Sequence, residues 1–185
     1  MLDISGQGEL KVKEEDAGAA LKLLRIRTVP EGSVAFELDH KPSGLLKDRL
    51  KNAFKQLSCL INSQHNKANK SCDFVLISPA GENAKVILGD MKSTRPSKSD
   101  CAAQLRNSEL FVEYLLSLLQ EYHQEYVIPD FKKVVFHATS PTNAKSPTQQ
   151  KSVQPPLEHN GIFYVALDLG GRNNSEASVS YHHIR

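Results

Sequence analysis

The sequence predicts an α/β domain, a mixed central sheet flanked by two main helices. Three observations carry that expectation. Residues 44–62 place Leu46, Leu50, Ala53, Phe54, Leu57, Leu60 and Ile61 at spacings of three and four, which forms one apolar stripe along a helix. Residues 72–91 hold two apolar runs, CDFVLIS and KVILGDM, on either side of the turn-forming PAGEN, the pattern of a hairpin. A second long helix is expected over about 100–122, with Leu105, Val112, Leu115, Leu116 and Leu119 facing inward. Ser43 suits the start of the first helix as a cap, and Asp100 suits the start of the second by capping and dipole.

The remaining elements follow in order. Glu15 to Leu21 could open a short helix, and Leu23–Val29 and Ser33–Leu38 read as two strands of a hairpin around Pro30-Glu31-Gly32. Residues 1–40 are therefore expected as N-terminal strands joined to a core of residues 41–169. Lys133–Ala138 and Ile162–Leu169 are further strands. Between them runs a Ser-, Thr-, Pro- and Gln-rich stretch, too long for an ordinary connection, so 139–160 is expected as a mobile insertion. From Gly170 to Arg185 apolar content is low, and a flexible tail is expected.

A chain of 185 residues is long enough to bury a core without staples. Its three cysteines, Cys59, Cys72 and Cys101, are odd in number and form no CxxC pair, which argues against a disulfide framework or a cysteine zinc site. Reduced cysteines suit a cytoplasmic protein. No stretch approaches the ~20 apolar residues of a membrane helix, and MLDISGQGEL lacks the basic-then-apolar pattern of a secretory leader. The net charge of +2 hides an uneven distribution. Residues 41–106 carry 12 Lys/Arg against 5 Asp/Glu, whereas the flanking parts are net acidic. A local positive field of this kind favours an anionic partner such as nucleic acid.

Within that basic part lies ILGDMKSTRPSK, residues 87–98. Alternation puts Asp90 and Lys92 on one face of the strand and Met91 on the other. An acid two before a lysine is weak on its own, because about two such pairs arise by chance in a chain of this composition and four occur: Glu9/Lys11, Asp39/Lys41, Asp90/Lys92 and Asp130/Lys132. Only Asp90/Lys92 follows a strand bearing a second acid, Asp73, that an antiparallel hairpin brings alongside. Only it is followed by a helix with an early amide, Gln104.

CDFVLI, a turn, VILGDMK and then a helix opening DCAAQL together resemble the PD-(D/E)xK nuclease superfamily, the restriction-endonuclease-like fold. The resemblance covers about residues 44–138. It implies that Asp73 is the first motif acid, that Asp90 and Lys92 are the second acid and the lysine, and that Gln104 is the glutamine often found at the start of the following helix. Cys72 stands where proline is usual. The fold also normally has three meander strands between its helices, of which only two are evident here. Either the polar stretch 63–71 or Ser33–Leu38 would supply the third. Many members carry a further acid on the first helix, for which Asp48 is the candidate, with Glu37 as the alternative.

The implied activity is phosphodiester hydrolysis, expected on DNA, with Mg²⁺ or Mn²⁺ held by the hard oxygens of Asp73, Asp90 and the Met91 backbone carbonyl. Lys92 would position water or stabilise developing charge, and Gln104 would orient Lys92 or that water. Lys47, Lys51, Lys55, Arg95 and Lys98 could hold flanking phosphates. So little apparatus for sequence readout suggests a partner protein or a homodimer. Two readings of other classes stand beside this one: a nuclease-like domain that no longer cuts and serves as a binding or assembly subunit, and a protein-interaction domain using the 139–160 loop. His137, near a strand's end, reads as structural. His182-His183 lacks the spacing of a helical metal pair.

Overall fold

The computed structural model describes residues 2–14, 16–38, 70–94, 96–124, 126–139, 156–169 and 175–185. Two sheets and one main helix make a mixed α/β molecule. The strands are β1 (Leu10–Lys13), β2 (Leu23–Arg27), β3 (Val34–Phe36), β4 (Phe74–Ala80), β5 (Asn83–Lys92), β6 (Ile128–Ala138), β7 (Leu157–His159), β8 (Ile162–Leu167) and β9 (Glu176–Ser180), and the helix α1 is Lys98–His123. The larger sheet has the order β3-β4-β5-β6-β8-β7 and the smaller β1-β2-β9. In the larger sheet β3, β4 and β5 form an antiparallel meander, β5, β6 and β8 run parallel, and β7 returns antiparallel at the edge.

The β5 run VILGDM is buried throughout, because both faces of the larger sheet are covered. One face carries Phe74, Leu76, Ile87, Phe136 and Val165 and packs with Leu10, Val12, Leu24, Ile26 and Val179 of the smaller sheet. The other face carries Val75, Val86, Leu88, Val135 and Tyr164 and packs with Cys101, Leu105 and Val112 of α1. The molecule is thus layered as small sheet, large sheet, helix. Glu109 fastens α1 to β6 by accepting from Lys133 (2.9 Å), and it also pairs with Arg106.

Several expectations change. Leu23–Val29 and Ser33–Leu38 do form strands, but not a hairpin with each other. β2 joins the small sheet, whereas β3 pairs with β4 and supplies the third meander strand. Burial on separate faces decides this, since β2 buries Leu24 and Ile26 against the large sheet while β3 extends it. Of the expected opening at Glu15–Leu21, residues 16–21 form no helix; Asp16 and Gly18 make a turn, with the Gly18 N–H donating to Asp16 Oδ1. Low apolar content does not keep residues 175–185 out of the fold. β9 lies parallel to β2, and Tyr181 and Ile184 are buried in the inter-sheet core. Within 139–160, residues 157–159 form β7, turned back onto β8 at Asn160-Gly161, both with positive φ; residues 140–155 lie outside the described residues. One main helix is present among the described residues rather than two, and the stripe at 44–62 lies outside them. Leu119, expected inward, is exposed.

Candidate metal centre

The β4–β5 hairpin positions the two acids through a contact on its opposite face. Phe74 pairs with Gly89, and the Phe74 ring occupies the space where a Cβ on Gly89 would lie, 2.1 Å from its nearest atom. That large-against-absent pairing sets the register one residue from each acid. Asp73 then brackets Asp90: its N–H donates to the Gly89 carbonyl (3.0 Å), and its Oδ2 accepts from the Met91 N–H (2.5 Å). Asp90 itself has no exposed surface. Its Oδ1 accepts from Lys92 Nζ at 2.8 Å, and its Oδ2 has no hydrogen-bond partner among the described residues.

Two carboxylates this close and this buried resist ionisation. Burial, then the neighbouring Asp90 charge, pushes Asp73 up to about 7, against the pull of the Met91 N–H and Lys92. Burial also raises Asp90, although Lys92, the Cys101 thiol and the Asp73 carboxyl oppose it. Burial pulls the Lys92 ammonium down, but Asp90 outweighs it and Lys92 is held above the ordinary lysine value. A buried carboxylate pair with a single lysine partner is electrostatically costly, and its donors are hard oxygens. Carboxylate oxygens are the donors that Mg²⁺ and Mn²⁺ prefer. Among the described residues no group of three or more His, Cys, Asp or Glu side chains is gathered for a metal.

Other candidates fall elsewhere. Gln104 does not reach Lys92; its Nε2 donates to the Ser71 carbonyl (3.3 Å). One turn on, Ser108 Oγ accepts from the Cys72 N–H (2.7 Å). Both bonds tie α1 to the segment entering β4, so Gln104 holds Asp73 in place from behind. Glu37 lies just past β3, where the β3–β4 register sets it level with Phe74 rather than Asp73. Lys98 is exposed at the start of α1. Asp48, Lys47, Lys51, Lys55 and Arg95 lie outside the described residues.

The competing acid–lysine pairs are surface ion pairs. Glu9 joins Lys11, Arg25 and Arg27, and Asp130 joins Lys85 across β5–β6. Asp39/Lys41 lies outside the described residues.

Residues that sequence reasoning passed over also surround the site. Cys101, in the first turn of α1, is buried against Asp90, and burial together with that charge lifts its thiol to about 11. Tyr164 is raised by burial and by Cys101 and Asp90. Glu14 adds a further repulsion at Asp73, and the turn that follows it docks on the end of β5, the Ala20 N–H donating to Ser93 Oγ (2.9 Å). The sequence DCAAQL was a signal for Cys101. Glu14 had none, because only the stacking of the two sheets brings it near. Cys72 and Cys101 are free thiols. No helix among the described residues is long and apolar enough to cross a membrane. Comparison with protein-family models, curated proteins and solved structures gave no match.

Proposed function

We propose that the protein is a metal-dependent phosphodiesterase acting on nucleic acid, with DNA the expected substrate and a restriction-endonuclease-like core. The observation that carries this reading is the buried Asp90, ion-paired through one oxygen, without a partner for the other among the described residues, and bracketed by a second carboxylate. A purely structural ion pair would not need a second buried acid beside it, since each unpaired buried charge is costly. The acids and Lys92 also sit at the carboxyl end of β5, beside parallel β6, where open α/β sheets commonly bind ligands.

In this reading Asp73, Asp90 and the Met91 carbonyl hold Mg²⁺ or Mn²⁺. The ion, when bound, polarises the phosphate and acidifies water. Lys92 stays cationic and donates hydrogen bonds to the phosphate oxygens as negative charge builds on them. Gln104 and Ser108 keep the start of β4 seated so that Asp73 stays beside Asp90. A partner protein or second copy supplies the target choice for which the described residues show no separate module.

The test is Mg²⁺- or Mn²⁺-dependent cleavage of plasmid and single-stranded DNA by wild type, Asp90→Ala and Lys92→Ala. The variants are expected to lose activity by about 10²-fold or more. Equal activity in all three rejects the assignment. The absence of a gathered third ligand among the described residues favours a second reading, a nuclease-like binding subunit. Nucleic-acid binding that weakens steeply with salt, without cleavage, would select that one.

A further inference from the structure

Three buried side-chain polar atoms lack a hydrogen-bond partner among the described residues: Asp90 Oδ2, His137 Nδ1 and Tyr164 Oη. They are not scattered. β5, β6 and β8 pair so that Asp90, Val135 and Tyr164 form one row across the sheet, and Lys92, His137 and Ala166 form the next row on the same face. Val135 and Tyr164 pack in the helix-side core, so all three orphaned atoms belong to residues of that face. Each such atom costs roughly 1–3 kcal/mol when left dry, so native folds keep them few, and their falling together on one face is the informative observation. Three in adjacent rows of one face, with Asp90 showing no exposed surface and Tyr164 7%, are the clustering expected of polar groups that share buried water.

We propose that the catalytic hollow continues from Asp90 and Lys92 onto β6 and β8, and that His137 holds the attacking water there, accepting its hydrogen bond at Nδ1. The inference rests on the phosphodiesterase reading above. A water that attacks phosphorus needs an acceptor for one of its protons, so that its lone pair is directed at the target. Lys92 offers donors only. Asp73 Oδ2 is committed to the Met91 N–H and Asp90 Oδ1 to Lys92, and the remaining Asp90 oxygen is assigned to the metal in the reading above. His137 is level with Lys92 on the neighbouring strand, and with its ring proton on Nε2 it presents a lone pair at Nδ1. The small side chain of Ala166, level with it on β8, leaves the imidazole room. In the reaction the water oxygen forms the new bond to phosphorus. The water gives one proton to His137 Nδ1, which then releases it to solvent; the bond to the leaving oxygen breaks with its electron pair, and that oxygen takes a proton from solvent.

The side-chain oxygen of asparagine lies near the place of Nδ1, so His137→Asn is the informative variant, compared with His137→Leu. The readouts are cleavage of plasmid and single-stranded DNA with Mn²⁺, the rise in Tm that Mn²⁺ produces, and a crystal structure of the metal-free protein. His137→Leu is expected to cleave about 100-fold more slowly and His137→Asn to stay within about tenfold of wild type. The Mn²⁺-induced Tm rise is expected to be equal in all three, and an ordered water is expected on Nδ1 of the wild type. If His137→Leu does not fold, His137→Gln replaces it, with the same 100-fold loss expected, because its oxygen reaches toward the Nε2 position. Wild-type rates in His137→Leu, equal losses in both variants, or loss of the Mn²⁺ response overturn the role of His137 while leaving the phosphodiesterase reading intact. A wild-type protein that cuts neither substrate overturns that reading and this inference with it.

Discussion

A carboxylate with no exposed surface and one oxygen without a partner among the described residues is an expensive residue, and Asp90 is made more so by Asp73. The consequence for stability has a definite sign. A carboxyl whose pKa is higher in the folded chain than in the unfolded one favours folding less as it ionises. Below the ordinary value of 3.8 both states keep the proton and the term vanishes. As pH rises from there through about 7, the folded state must surrender a proton it holds tightly, and stability falls. Glu109 acts in the opposite sense, because Arg106 and Lys133 overcome its burial and hold it below the ordinary glutamate value; its contribution is lost only on acidification below about pH 4.5. The metal-free protein is therefore expected to lose urea resistance between about pH 4 and 7. Asp90→Asn, which removes the repelling charge, should flatten that decline, and Mg²⁺ should flatten it in the wild type. A urea midpoint independent of pH over this range would show that the two acids do not compete for charge.

At the scale of elements, the β4–β5 hairpin is governed by one contact on the face away from the site. Gly89 has no side chain, and Phe74 fills that space and stacks on Phe136 of β6 at 6.1 Å. A methyl group at Gly89 would meet the ring, which has no room to retreat inside the inter-sheet core. Gly89→Ala is thus expected to cost about 1–3 kcal/mol, as overpacking does, and to disturb Asp73 and Asp90, the next residues on each strand. Urea denaturation measures the first effect and Mn²⁺ affinity the second. An unchanged midpoint would mean that the register is set elsewhere. From the other face, α1 holds the same hairpin through Ser108 on the Cys72 N–H and Gln104 on the Ser71 carbonyl. The site is therefore clamped between two packed layers, which suits a centre whose charged groups repel one another.

For the whole molecule, the last eleven residues close the structure. β9 completes the small sheet beside β2, and Val179, Tyr181 and Ile184 fill the core between the sheets. Burying three such side chains is worth roughly 5 kcal/mol or more, comparable to the whole stability of a typical domain. Deleting residues 175–185 should abolish the cooperative thermal transition, whereas removal of a loose tail would leave Tm unchanged. The small sheet also delivers Glu14 and its following turn to the end of β5, so the deletion is expected to loosen the site from a distance.

The strong local patterns were legible in the chain alone. The runs CDFVLIS and KVILGDM with PAGEN between them specified a hairpin, and antiparallel geometry then required Asp73 and Asp90 to meet, as they do. The apolar spacing after Asp100 specified α1 within a residue or two at each end. Asn160-Gly161 was an equally readable turn signal, and it marks the β7–β8 hairpin inside what otherwise looks like an insertion. What the chain alone did not reveal depends on contacts between distant segments. The strand Glu176–Ser180 has few large apolar residues and is ordered by pairing with β2, about 150 residues earlier. Gln104 could have pointed at Lys92 or at the backbone, and only the docking of α1 on β4 sends it to Ser71. His137 and Tyr164 join the acids because parallel strands align rows by register, and register between β5, β6 and β8 is a property of the assembled sheet. Local periodicity therefore determined the elements and the acid pair. Long-range pairing decided which other side chains lie level with them across the sheet.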